Sequence, residues 1–361
     1  MQAIALRPQR GQITGNLAGL ALCVLGMLVF PVACIPLALL LPLFACPLIG
    51  HKTQWASFLS AAAPSLISLA NGMDFLYCLS LLAICGLPLA ATELLRPGKK
   101  GASPLAFLFH IAAYAAALTA VSFCASRVLG GDLSAGLADA LVSRVEASPR
   151  VGVTLYQLAA SGLIGVPKAY QRAEMLVFAL DPALIRQLLM SLRLTLNLSF
   201  AQLLPSLFVQ ACIIGGLFTA LRVQRLQHSY LLVSGQHNPK AVGERVRVAI
   251  PPGFSMLQLP PPLRWPVSLI GLGALLCAMT PGSFAQELSL LLYTAFVCVF
   301  QLIGAAVAIC LLSARHPDRK ALYGVLAGFI YIFFPIVLFL IGVLDPVLHF
   351  RSKTLFQQEE E

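Results

Sequence analysis

The chain has 361 residues, of which 59% are hydrophobic and 11% charged, with a formal net charge of +10 and a mean hydropathy of +0.87. A soluble domain covers its surface with roughly 25% charged residues, so this composition excludes a water-soluble globular protein. It also removes nucleic acid as the reason for the positive charge, because Lys and Arg collect in the cytoplasmic loops of membrane proteins.

A helical span needs about 20 apolar residues, and backbone in lipid must satisfy its own hydrogen bonds. Apolar runs place helices near 13–33, 35–50, 55–71, 74–95, 103–127, 197–221, 265–281, 284–312 and 321–345. The predicted architecture is therefore all-α, a polytopic helical bundle of about 8–10 spans. Arg7 and Arg10 before the first run imitate a signal peptide, but Pro31 and the apolar run after Cys34 predict an uncleaved first span. Gly15, Gly19 and Cys23 repeat every four residues there, which suits close helix packing, inside the bundle or against another membrane subunit. Pro36, Pro42 and Pro47 make the second run short, irregular or re-entrant.

His110 and Tyr114 lie one turn apart in the fifth run. The segment 128–196 follows, with Leu133, Leu137 and Leu141 at helical spacing. Asp181-Pro182 predicts a helix start, with Asp as cap and Pro in the first turn. Ile185, Leu188, Leu189 and Leu192 then form an apolar stripe away from Arg186 and Arg193. Such amphipathic helices lie on a membrane surface or cover a cavity. Gln202 and Gln210 flank Pro205 in the next span. Residues 226–263, with Pro251-Pro252 and Pro260 to Pro262, are predicted to form an extended cytoplasmic strap. The chain thus divides into an N-terminal membrane region (1–127), an extracytoplasmic segment (128–196) and a C-terminal membrane region (197–361).

Positive residues alternate with this map. Arg7 and Arg10, Lys52, the Arg96 to Lys100 cluster, Arg222 to Arg264, and Arg315 to Lys320 fall at every other boundary, while the short loops near 34, 72 and 282 carry none. The rule that cytoplasmic loops are positive then predicts a cytoplasmic N-terminus.

The ten cysteines all lie in apolar runs without C-x-x-C spacing, so they read as small packing residues. There is no phosphate loop, H-E-x-x-H or G-x-S-x-G motif, and no spacing that predicts a metal or cofactor. Polar side chains within spans are expensive in lipid. His110, Tyr114, Gln202, Gln210 and Gln301 are accordingly the candidate ligand-binding residues if they converge on one outward-facing cavity; the alternative is helix–helix hydrogen bonding.

The C-terminal third carries Pro251-Pro252-Gly253-Phe254 with Leu259-Pro260 and Arg264-Trp265-Pro266, then Gln301-Leu302-Ile303-Gly304-Ala305, then Gly342-Val343-Leu344-Asp345 with Phe350-Arg351. On these motifs it resembles the YybS-like family of bacterial multi-pass membrane proteins of unknown function. The resemblance implies structural roles for Pro260, Trp265, Gly304, Gly342, Asp345 and Arg351, with Asp345 and Arg351 fixing the last helix at the membrane interface. That family is distantly similar to the substrate-binding S-components of energy-coupling-factor transporters. This implies a small-solute binding or transport subunit that docks through Gly15, Gly19 and Cys23 on a separate ATP-driven coupling module. Two other functions fit the residues: a membrane scaffold without ligand, and a membrane enzyme acting on a lipid-linked substrate through Asp132, Asp139, Glu146 or Glu174.

Overall fold

The structure is a computed structural model that describes residues 2–30, 34–49, 53–95, 105–165, 181–237, 254–257, 261–280, 282–315, 319–348 and 350. All regular structure among these residues is helical, and the protein is an all-α, multi-pass membrane protein. Its outside is apolar: Leu22, Phe75, Leu108, Leu203, Leu272 and Ile332 are all exposed, as lipid-facing side chains must be.

The N-terminal bundle comprises α1 (Gln2–Val29), α2 (Cys34–Ala45), α3 (Gln54–Ala70), α4 (Phe75–Leu94) and α5 (Leu105–Val128). The short α2, continued by a 3-10 turn at Cys46–Leu48, sits at its centre, with Ala38, Leu41, Cys46 and Leu48 fully buried. A helix this short falls well below the roughly 20 residues of a span. Its prolines explain why it needs a protein environment. Pro42 and Pro47 have no N–H, so the carbonyls of Ala38 and Leu43 lose their ordinary helical donors. Other helices supply replacements. The Cys85 thiol of α4 donates to Ala38 O at 3.6 Å, and Ser57 of α3 donates to Ala45 O at 2.7 Å. Residue Ile49 does not reach back to Ala45, because its N–H donates to Cys46 O instead.

Outside this bundle lie α6 (Leu133–Glu146) and α7 (Val151–Ala160), packed on the first turns of α8 (Pro182–His237). Gly130 and Gly131 make the turn into α6 with φ of +88° and +119°, values that side chains with a Cβ rarely adopt. The stripe predicted at Leu188, Leu189 and Leu192 is buried, together with Leu184, against Val142 and Leu155. Asp181 caps α8 as expected, accepting from Ala183 N at 2.9 Å and Leu184 N at 3.2 Å. The other predicted stripe is corrected. The buried face of α6 is Ser134, Ala138 and Val142, while Leu141 points outward. It is rotated because Ser134 meets Asn197 of α8 at 2.7 Å and Asp139 pairs with Arg193.

Asp132 caps α6 and yields a test. The Ser134 hydroxyl, and then its backbone N–H, hold the Asp132 carboxyl below the usual carboxylate range. The folded value is the lower one, so this cap is fully formed above the unfolded carboxylate pKa of about 3.9 and is lost as pH falls through the folded value. Amide protection factors in the first turn of α6, taken relative to the intrinsic exchange rate at each pH, should fall over that window in the wild type and stay level in Asp132→Asn. Identical profiles for the two chains would count against the cap.

At 56 residues, α8 is the longest element, about 84 Å at 1.5 Å per residue. It passes without a break from the α6–α7 layer into the membrane bundle, so the boundary predicted at 196–197 is not a structural one. Its far end continues to His237, so the predicted strap loses its first twelve residues (226–237) to helix; 238–253 lie outside the described residues.

The C-terminal half is a hairpin of α9 (Pro261–Met279) and α10 (Ser283–Arg315), followed by α11 (Lys320–Phe333) and α12 (Pro335–Leu348). The last predicted span is corrected: α11 and α12 are bent by 110° at Phe334-Pro335. Among the described residues, five helices can cross a membrane by length and apolarity, or six if the bent pair counts as one. The expected number is reduced because α2, α3 and α9 are too short or too polar for a full span, although the runs that predicted them are real helices.

Candidate functional site

His110, on α5, is 1% exposed. Its Nε2 lies 3.0 Å from Thr92 Oγ1 of α4, and that hydroxyl donates to Pro88 O at 2.9 Å. The Thr92 hydroxyl thus ties the His110 ring to the backbone of α4. One turn on, Tyr114 is equally buried. Its hydroxyl donates to Leu39 O of α2 at 3.4 Å and accepts from Thr219 of α8 at 3.1 Å. A polar seam therefore joins α2, α4, α5 and α8. Two adjacent glycines let α8 come this close. A Cβ on Gly215 would lie 2.9 Å from Tyr114 Cζ, and one on Gly216 would lie 2.7 Å from the backbone nitrogen of Ile111.

The other candidates lie elsewhere. Gln210 accepts from the Tyr331 hydroxyl at 3.5 Å, on the side of α8 that faces α10 and α11. Ser206 meets Thr294 at 3.0 Å along the same seam, and Thr294 itself donates to Leu290 O. Gln202 is exposed, and Gln301 is buried on α10. None of His110, Tyr114, Gln202, Gln210 and Gln301, predicted to share a cavity, lines the groove described below, and Thr92, Thr219 and Tyr331 instead engage His110, Tyr114 and Gln210 across helix interfaces.

The stripe on α1 is corrected in the same way. A Cβ on Gly19 would run into the Phe44 ring, one on Gly26 would lie 3.0 Å from Leu37, and Cys23 is buried in the same core. The stripe receives α2 from within the chain, and only Gly15 at its start stays exposed, with nothing beside it. Gly19 and Cys23 are thus taken up by packing within the chain.

The motif residues of the C-terminal half fare better. Gly304 and Gly342 face each other where α10 crosses α12. A Cβ on Gly304 would strike the Leu338 carbonyl oxygen and lie 3.0 Å from Gly342 N; one on Gly342 would strike Phe300 O and lie 3.0 Å from Gly304 N. Phe296, Phe300 and Phe339 close the crossing, with ring centroids 4.9 to 6.2 Å apart. Asp345 follows on the same face, at the end of the apolar stretch of α12, and is buried. Trp265 is 77% exposed at the start of the apolar part of α9, where an aromatic ring suits a lipid–water boundary. Pro260 and Arg351 lie outside the described residues.

The described residues also form a large cavity. A groove of about 980 Å³ runs between α9, α10 and α12. Its walls are mostly apolar, from Gly271, Leu275, Phe296, Phe300 and Val343, with Ser268, Gln286 and Tyr293 as polar groups. Ser289 is spoken for, donating to Ala274 O at 2.7 Å. None of the groove's lining residues is charged. No run of polar residues marks it in the sequence; it arises because the break at Phe334-Pro335 swings α12 against α10 beside α9.

The acids considered for catalysis serve local structure: Asp132 is a cap and Asp139 an ion-pair partner, while Glu146 ends α6 and Glu174 is outside the described residues. Among the described residues no group of three His, Cys, Asp or Glu could hold a metal. No protein-family model, curated protein or solved structure matches this chain.

Proposed function

We propose that this chain is a non-catalytic bacterial inner-membrane protein of the YybS-like type, with a cytoplasmic N-terminus, that binds a small amphipathic solute in the groove between α9, α10 and α12 and serves its transport. The groove carries the reading: it has the size and the largely apolar, sparsely polar walls of a small-molecule site. Uncharged walls favour a solute with a neutral or zwitterionic head, and the lipid-facing neighbours Leu269, Leu272 and Leu276 give it an entry path from the bilayer.

Ala278 lines the groove and is exposed, so Ala278→Trp fills the space without disturbing the core. Binding of a pyrene-labelled acylglycerol to the purified chain should weaken by about tenfold or more in this variant, with an unchanged elution profile. Equal binding by both proteins would sink the reading. A scaffold is the second reading. It is favoured by the N-terminal bundle, where the seam residues His110 and Tyr114 are bonded to neighbouring helices rather than lining the groove.

A further inference from the structure

A second cavity, of about 350 Å³, lies between α2, α8 and a 3-10 turn at Phe254–Met256. Leu43, Phe218, Leu221 and Phe254 line it with apolar groups, and Arg222 brings a cation to it. The rings of Phe218 and Phe254 stack at 5.0 Å. The guanidinium is positioned from two sides. Its Nη1 donates to Leu43 O at 3.4 Å, the carbonyl that Pro47 leaves without a helical donor. Its carbon lies 4.7 Å from the centre of the Phe44 ring. Between Arg193 and Arg222 the α8 sequence carries no charge, so Arg222 marks the end of an apolar stretch and the return to the lipid–water boundary.

We infer that this cavity is a headgroup site for an anionic phospholipid. The phosphodiester lies against the Arg222 fork and an acyl chain runs along Leu43, Phe218 and Leu221. A guanidinium matches phosphate oxygens in planar geometry and keeps its charge whatever else it bonds. Free inorganic phosphate would leave the apolar walls unused, whereas a lipid uses both halves of the cavity. Basic pockets between membrane helices on the cytoplasmic side suit such headgroups. The inference takes only the leaflet from the orientation proposed above, and its site is separate from the groove.

The test is native mass spectrometry of the full chain, delipidated in detergent and exposed to an equimolar mixture of phosphatidylglycerol and phosphatidylcholine. Wild type should retain the anionic lipid in about tenfold excess, the value of one charge-assisted contact. Arg222→Gln should bring the ratio to parity, and Arg222→Lys, which keeps charge but loses the fork, should fall between. Should Arg222→Gln fail to fold, Leu43→Trp fills the cavity and leaves the cation in place, and it too must lose the preference. A preference that survives in Arg222→Gln or Leu43→Trp overturns the assignment, as does displacement of the lipid by inorganic phosphate. Ala278→Trp should leave the ratio untouched, so this site and the groove fail independently.

Discussion

Gly304→Leu should abolish the folded C-terminal bundle. At the α10–α12 crossing the two backbones touch, and the first obstacle to any side chain is the Leu338 carbonyl rather than a flexible group. A side chain that can rotate away makes overpacking cheap; a carbonyl held in a helix cannot rotate away. Even Gly304→Ala should therefore cost about 3 kcal/mol or more, the upper end of the overpacking range. Gly342→Ala should behave alike, because it meets Phe300 O in the reciprocal arrangement. The double variant should cost less than the sum of the two, since both open the same crossing. Gly324→Leu on α11 is the control: nothing lies within 4 Å of its Cβ position. Size-exclusion profiles and melting curves of the five tagged variants measure this. A Gly304→Leu protein that elutes and melts like wild type would show that the crossing is dispensable.

Tyr114→Ala should cost about 3–5 kcal/mol, the range for emptying a buried aromatic site. In lipid the transfer part of that cost shrinks, because the membrane is itself apolar, but the lost contacts with Leu118, Cys212 and Gly215 remain. Tyr114→Phe keeps the ring and loses only the hydroxyl that bridges Leu39 O and Thr219. It should cost about 1 kcal/mol. Reversible unfolding in mixed micelles gives both numbers. If the Phe variant lost as much as the Ala variant, the hydroxyl would have a task beyond packing.

Much of this architecture was legible because membrane helices announce themselves by composition alone. The Asp181-Pro182 start and the Leu188, Leu189, Leu192 stripe were readable to the residue, because capping and helical periodicity are local. The role of Gly304 and Gly342 was signalled only as a motif; that they meet depends on the 110° bend at Phe334-Pro335, which no apolar run encodes. The candidate site was the least readable part. Polar residues in spans were correctly picked as exceptional, but whether Gln210 faces a cavity or Tyr331 is a matter of how helices turn toward one another. The Gly215-Gly216 pair was visible in the sequence and would have pointed to the α5–α8 contact beside His110 and Tyr114.

The prolines of α2 also set a timetable for synthesis. The groups that satisfy its freed carbonyls come later in the chain, first Ser57, then Cys85, and last Arg222, which follows Leu43 by 179 residues. At about 5–20 residues per second, the ribosome needs about 10–35 s to deliver that last partner. During that interval a helix at the centre of the finished N-terminal bundle still lacks a partner. A nascent chain halted before α8 thus offers a quality-control protease an incompletely bonded segment that the completed fold conceals.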